Sequence, residues 1–186
     1  MIRIIDLPAN NLTMFHQAAA LLVEGFKEHW PNAWPDRDAA LEEVHTCLGP
    51  GRINRVAVDE SDTLLGWIGA NREYQGHAWE LHPLVVHPDH RGKGIGRALV
   101  TDLEAQVREQ GGITIYLGTD DEDNMTSLSK VDLYPDVAGH IARIQNLRGH
   151  PYGFYQKLGY VIVGVIPDAN GLGKPDILMA KRVGAQ

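Results

Sequence analysis

One stretch constrains the architecture more than any other: Trp79-Glu80-Leu81-His82-Pro83-Leu84-Val85-Val86, followed after four residues by Arg91-Gly92-Lys93-Gly94-Ile95-Gly96-Arg97. An apolar strand carrying two ionisable residues and a proline runs into a basic, glycine-rich turn. The turn opens into the strongest helical pattern in the chain, Gly94 to Gln110, with Ile95, Leu99, Leu103 and Val107 at four-residue spacing and Gly111-Gly112 to end it. Ile113 to Leu117 then returns as an apolar, β-branched run. Strand, helix and strand at this spacing predict a β–α–β unit with its two strands parallel. Such a unit leaves the first amides of its helix without intrahelical acceptors, at the end where the helix dipole is positive, so anions should bind there.

Around this centre the chain predicts a mixed, mostly antiparallel sheet flanked by helices. Ile2 to Asp6 reads as a first strand. A helix capped by Asn10 or Asn11 follows, with Leu12, Phe15, Ala19, Leu22, Val23 and Phe26 as its buried stripe. Trp30 to Pro35 cannot continue it, because both prolines lack a donor N–H; the loop is either a lid over a pocket or an anchor packed on the core. Asp36 or Asp38 caps a second helix with Ala39, Leu41, Val44 and Leu48 inward. Two strands at Arg55 to Val58 and Leu64 to Ala70, joined by an Asp59 to Thr63 turn, make a meander with the Trp79 strand. Ala138 to Leu147 and Pro151 to Leu158 are helix candidates, and Tyr160 to Ile166 and Pro175 to Val183 close the chain as strands around a polar turn, Asp168 to Lys174. With 186 residues, 44% of them hydrophobic, and no linker or repeat, we expect a single α/β domain spanning residues 1–186.

A net charge of −7 argues against nucleic acid as a partner and suits a cationic substrate. The single cysteine, Cys47, reads as a packed small hydrophobe. With no secretory leader and no membrane-length apolar run, a cytoplasmic protein without membrane contact is expected. The histidines lack metal-ligand spacing, so no metal is expected.

Alternation along the strand would put Glu80, His82 and Leu84 on one face and Trp79, Leu81 and Val85 on the other. Inward ionisable residues on a central strand are costly unless used in an ion pair or in chemistry. Pro83 cannot donate to the ladder, which marks a bulge or a splay. If the sheet parts there, the Leu84 N–H is left to donate to a ligand carbonyl, an oxyanion-type site. Downstream, the glycines between Arg91 and Arg97 permit a tight path whose amides can face a phosphate; neither the Gly-Lys-Ser/Thr of a nucleoside-triphosphate loop nor a dinucleotide fingerprint is present. Gly118 to Asp123, G-T-D-D-E-D, is either a solvated turn or an electrostatic landing site for a cation.

The pattern Arg91-x-x-Gly94-x-Gly96 after an apolar strand, with Tyr155 late in the chain, resembles the acetyl-CoA-binding core of the GNAT N-acetyltransferase superfamily. Trp79 to Val86, Gly111 to Asp121, Ile144-Gln145-Asn146-Leu147, His150-Pro151-Tyr152, Lys157 to Tyr160 and Asp176 to Lys181 resemble the enterococcal-type aminoglycoside 6′-N-acetyltransferases. The resemblance implies the GNAT (acyl-CoA N-acyltransferase) fold with a splayed central unit, acetyl-CoA as co-substrate without a metal, a homodimer, and direct transfer to a cationic amine such as an aminoglycoside, an antibiotic-resistance activity. By similarity Glu80 is the general base, His82 its neighbour, and the Leu84 amide the holder of the thioester carbonyl. Tyr155 partners the departing thiol, Val85 and Val86 pair with the pantetheine arm, and Arg91, Gly92, Lys93, Gly94, Ile95, Gly96 and Arg97 hold the pyrophosphate. Trp30, Asp120 and Asp121 join Glu80 and His82 as expected substrate contacts. Other readings are the same chemistry on a polyamine or basic peptide, and a non-catalytic acyl-CoA-binding module. Tyr155, with a reference pKa of ~10 against ~8.5 for a thiol, is better placed to hydrogen-bond a thiolate than to protonate it.

Overall fold

A computed structural model describes residues 2–184. The chain packs as two compact units: one runs through Ile115 and takes in the chain again from Val183, and the other is Tyr116–Arg182.

The first unit holds strands β1 (Arg3–Asp6), β2 (Arg52–Val58), β3 (Leu64–Glu73) and β4 (Ala78–Val86) side by side in that order, each antiparallel to the next. Helices α1 (Leu12–Phe26) and α2 (Arg37–Thr46) cover one face, and α3 (Ile95–Glu109) the other. Each helix starts where a short polar side chain or glycine stops the extended chain. The Asn11 carbonyl oxygen accepts from the Met14 N–H at 3.1 Å, and Asp36 accepts from the Ala39 N–H at 2.9 Å. Gly94, at φ +85°, precedes α3 in the left-handed region.

Phe15, Ala19 and Leu22 of α1 are buried as the periodicity requires, but Leu12 is exposed and Met14, Ala18 and Leu21 are buried in its place. The stripe is broader than expected because α1 packs against both the sheet and α2. On α2 Val44 is buried as expected, but Ala40 and Cys47 take the inward places instead of Ala39 and Leu48, with Leu41 and Leu48 partly buried at the edge. Cys47 is the packed thiol foreseen. Burial and the neighbouring Glu43 push it up to about 12, so it is inert as a nucleophile. On the opposite face Ile95, Leu99, Leu103 and Val107 are all buried, as the spacing predicted, and each fully buried aliphatic contributes about 1.5–3 kcal/mol. Arg55 ties β2 to α3 through Asp102, Nε to Oδ2 at 2.7 Å.

The second unit carries β5 (Thr114–Asp120), whose first two residues belong to the first unit, then α4 (Val137–Ala142), α5 (Tyr152–Gln156), β6 (Val161–Ile166) and β7 (Asp176–Arg182), its strands ordered β5-β7-β6. β6 and β7 are antiparallel, and the Asp168 carboxylate accepts from Gly173 N–H in the turn between them. The helix expected over Ala138 to Leu147 reaches only Ala142, and the one from Pro151 covers Tyr152–Gln156. Among the described residues no helix is long and apolar enough to cross a membrane.

Candidate active site

The register of β3 against β4 places the strand chemistry. Gly66, Trp67 and Ile68 lie opposite Val86, Val85 and Leu84, and Ala70, Asn71 and Arg72 lie opposite Leu81, Glu80 and Trp79. Between these runs Gly69 alone faces both His82 and Pro83: β4 carries one extra residue, the bulge that Pro83 predicted, and the His82–Pro83 peptide is cis. Gly69 is required here, because a Cβ on it would lie 2.5 Å from the His82 carbonyl oxygen and 3.2 Å from Pro83 Cδ.

An inserted residue inverts the alternation beyond it. Glu80 pairs with Asn71, and His82 meets Glu43 of α2, so both face the α1/α2 side. Past the bulge it is Val85 that packs into the α1/α2 cluster beside Trp67. Leu84, opposite Ile68, therefore turns to the other face, and the expectation that Glu80, His82 and Leu84 share one face is corrected.

The bulge and the register beyond it fix the direction of the Leu84 backbone. The His87 N–H donates to the Leu65 carbonyl at 2.9 Å, and the register is unbroken from there to Leu84. Hydrogen-bonded and non-hydrogen-bonded pairs alternate in an antiparallel ladder, so Trp67 and Val85 exchange bonds while Ile68/Leu84 and Gly66/Val86 do not. The N–H groups of Leu84 and Val86 thus point away from β3, as does the Val86 carbonyl, which Arg91 Nε reaches at 3.4 Å. Val85, expected to pair with the cofactor arm together with Val86, has its backbone committed to Trp67 and can offer only its side chain.

Arg91 to Arg97 forms a cradle. Gly92 and Gly94 sit at φ +75° and +85° with nothing within 4 Å of where a Cβ would be. Ala98 is the first residue whose N–H reaches back, to the Gly94 carbonyl, so the amides of Ile95, Gly96 and Arg97 precede any intrahelical acceptor. Arg91 is anchored by Nη2 to the Gly25 carbonyl at 2.5 Å, and Lys93 Nζ donates to the Asp89 carbonyl at 2.8 Å. The two long side chains fasten the loop while its glycine backbone is left open to a phosphate. A diphosphate with an extended amide-bearing arm, as in coenzyme A, fits this cradle and the outward amides of Leu84 and Val86.

Glu80 and His82 are brought together with partners the sequence did not announce. Asn71 Nδ2 donates to Glu80 Oε2 at 3.3 Å, and Asn71 Oδ1 in turn accepts from Arg52, which fixes the amide's orientation. His82 Nε2 lies 3.3 Å from Glu43 Oε1. Glu43 also accepts the Cys47 thiol at 3.1 Å; the hydrogen-bonding influence of His82, outweighing burial, holds its carboxyl below the ordinary 4.5. Trp34, with its ring 6.1 Å from the His82 ring, is the tryptophan at this site, whereas Trp30 packs edge-on to Phe26 and His29. Of the lid and the anchor, Trp34 is at least an anchor, since it packs on Phe26 at 4.6 Å. A signal for Glu43 was present in the sequence: it lies three residues after Ala40 and four before Cys47, on the rim of the buried stripe of α2.

In the second unit Tyr155 is buried, edge-on to Tyr160 at 5.6 Å and Phe154 at 5.2 Å, and burial pushes its phenol well above the ordinary 10. Asp121 is fully buried. Its carboxylate accepts from the Met125 N–H at 2.6 Å, the Thr126 N–H at 2.8 Å and the Ser129 hydroxyl at 2.5 Å. Burial opposes ionisation, yet those donors prevail and hold the carboxyl below the ordinary 3.8. Asp121 is the cap of its own loop, not an open landing site. Asp120 accepts from Asn170 Nδ2 at 2.5 Å, and Asp123 pairs with Arg148 at 3.4 Å. Among the described residues no group of three or more His, Cys, Asp or Glu could hold a metal ion.

Residues 16–134 match the family model of the acetyltransferase (GNAT) family. An aminoglycoside 6′-N-acetyltransferase solved with coenzyme A is 48% identical over 99% of this chain and 98% of its own, at a TM-score of 0.91. The aminoglycoside 6′-N-acetyltransferase of Enterococcus faecium is 47% identical with the same coverage and a TM-score of 0.88. An aminoglycoside 6′-acetyltransferase of type Ii is 40% identical over 99% of each chain, at 0.75. Among curated proteins, an uncharacterised protein of Mycobacterium leprae (strain TN) is 33% identical over 97 residues, half of this chain; the match spans about a quarter of that relative's length.

Proposed function

The chain belongs to the acetyltransferase (GNAT) family, and from that premise we propose that it acetylates the 6′-amine of aminoglycosides, using acetyl-CoA. The observation that carries the substrate is the likeness, over 99% of the chain, to aminoglycoside 6′-N-acetyltransferases at 40–48% identity. When bound, acetyl-CoA supplies an acetyl thioester.

Each residue then has one task. The amides from Gly92 to Arg97 hold the pyrophosphate, and the outward backbone of Val86 meets the pantetheine arm. The Leu84 N–H, turned away from β3 by the bulge, donates to the thioester carbonyl, where negative charge develops in the transition state. An ammonium must lose a proton before it can attack, and two acceptors share one face of β4, Glu80 and His82. Tyr155 hydrogen-bonds the departing thiolate. Burial raises its phenol further from a thiol's ~8.5, so the hydroxyl stays protonated and acts as a donor without surrendering its proton. The face of β4 bounded by Trp34 and Glu43 receives the aminosugar.

We place the enzyme in the cytoplasm, where acetyl-CoA is available, as a homodimer by family resemblance, with aminoglycoside resistance as the phenotype; sedimentation showing a monomer would remove the dimer. Incubation with acetyl-CoA and a 6′-amino aminoglycoside should release free thiol in proportion to acetylated product. CoA binding without turnover on any amine would falsify the enzyme reading, and turnover confined to polyamines or basic peptides would replace the substrate.

A further inference from the structure

Resting on the acetyltransferase reading, we propose that Glu43 is a positioning residue that fixes the proton of His82 on Nε2, so that His82 Nδ1 is the atom that accepts the proton of the substrate ammonium. Four observations converge. His82 Nε2 stands 3.3 Å from Glu43 Oε1, and a carboxylate can only accept, so the nitrogen facing it carries the hydrogen. The Glu43 carboxyl is held below its ordinary range and is ionised at neutral pH. Glu43 is itself fixed, by the Cys47 thiol at 3.1 Å and by Trp34, whose ring also lies 6.1 Å from that of His82. The His82 side chain remains 44% exposed against 24% for Glu43, so the pair has a wet end at the imidazole and a dry end at the carboxylate.

Glu80 differs in this respect. One of its oxygens already accepts from Asn71, which Arg52 orients. The Asn71 amide competes with a substrate proton for that oxygen. The imidazole has two ring nitrogens, and with Nε2 turned to Glu43 its Nδ1 remains to take a proton. In the step, the Nδ1 lone pair forms a bond to one ammonium hydrogen and the N–H electron pair stays on the amine nitrogen. The resulting imidazolium keeps its Nε2–H directed at Glu43, whose negative charge offsets the positive one. Glu80 keeps the role of charged partner to the ammonium. The dyad is assembled from α2 and the bulge of β4, and the rim position of Glu43 on the buried stripe of α2 is what aims it.

The test has two arms. Long-range proton–nitrogen correlation spectra of the free protein, assigned by comparison with His82→Asn, should show His82 protonated on Nε2, and Glu43→Ala should convert it to a mixture of tautomers. A dominant Nδ1–H form in the parent, or an unchanged tautomer in Glu43→Ala, overturns the proposal. In the second arm, kcat with acetyl-CoA and a 6′-amino aminoglycoside should fall at least about tenfold in Glu43→Gln, with KM for acetyl-CoA within about twofold, and Glu43→Asp should recover part of the loss. Glutamine can still accept the Nε2–H, so it isolates loss of the charge from loss of orientation; a parent-like kcat in Glu43→Gln overturns the charge-offset step. If Glu43→Ala fails to fold, the parent tautomer and Glu43→Gln decide. Absence of turnover in the parent itself counts against the acetyltransferase reading, and the tautomer, read without substrate, separates the two failures.

Discussion

Replacing Gly69 with alanine tests whether the bulge holds the catalytic face of β4. The added Cβ would lie 2.5 Å from the His82 carbonyl oxygen, 3.1 Å from Asn54 Oδ1 and 3.2 Å from Pro83 Cδ. Carbon approaches a carbonyl oxygen to about 3.3 Å, so that oxygen, which is backbone, must retreat roughly 0.8 Å. Overpacking of a well-packed position costs about 1–3 kcal/mol. For a chain of this size roughly 2–4 °C of midpoint is lost per kcal/mol, so thermal unfolding should drop by about 2–12 °C. The function should suffer more than the fold, because the moving segment carries His82 and sets the direction of the Leu84 N–H. A 1 Å misplacement can cost about a hundredfold, so we expect kcat on a 6′-amino aminoglycoside to fall on the order of tenfold to a hundredfold. Gly164→Ala on β6, where the nearest neighbour of a Cβ is Leu178 Cδ1 at 3.7 Å, is the control and should stay within about 0.5 kcal/mol. Parent stability and turnover in Gly69→Ala would refute the account of the bulge.

Gly94→Val places a β-branched residue at φ +85° in open space, so its penalty is conformational. Relief of about 1–2 kcal/mol of left-handed strain would turn the amides away, and calorimetry should show CoA binding weakened roughly five- to thirtyfold. Parent affinity would remove the cradle assignment. Asp121→Asn leaves loop amides facing an NH2 group and should cost about 1–3 kcal/mol in urea unfolding at neutral pH. Because the folded Asp121 carboxyl titrates below 3.8, its contribution is present above that pH and lost as pH falls through the lower folded value. The difference between parent and variant should therefore shrink as pH falls below 3.8, and a pH-independent gap would contradict the hydrogen-bond account. Tyr155→Phe should slow transfer while largely keeping CoA affinity; an unaltered rate would return Tyr155 to a packing role.

Much of the fold was legible because its signals are local. The 3.6-residue period of α3, the Asn11 and Asp36 caps, the Asp59 turn and the strand runs each depend on neighbours a few residues apart. The site was legible in part. Pro83 announced the bulge, since a residue without an N–H interrupts a ladder whatever its partner. What the alternation could not supply was the reversal of faces beyond it: that depends on which strand carries the extra residue, and Gly69, the residue admitting it, lies on another strand. The Leu84 N–H does point away from β3, but Leu84 lies on a face opposite to that of Glu80 and His82. Asp121 looked like part of an acidic surface because composition does not distinguish a solvated carboxylate from one enclosed by Met125, Thr126 and Ser129.

The sequence by itself determined most of the succession of elements, the glycine-rich turn between Arg91 and Arg97, and the placement of Glu80 and His82 two residues apart on one strand, since each is written in nearby residues. Only the tertiary structure decided that Trp34 borders His82, that Asn71, held by Arg52, donates to Glu80, and that a glutamate from α2 sits behind the imidazole. The Glu43 and Trp34 contacts with His82 join residues 39 and 48 positions apart through burial of the α1/α2 stripe against the sheet, whereas Arg52, Asn71 and Glu80 meet through the register of β2, β3 and β4. That burial is non-directional, and beyond the rim position of Glu43 it leaves little mark at the positions it brings into contact.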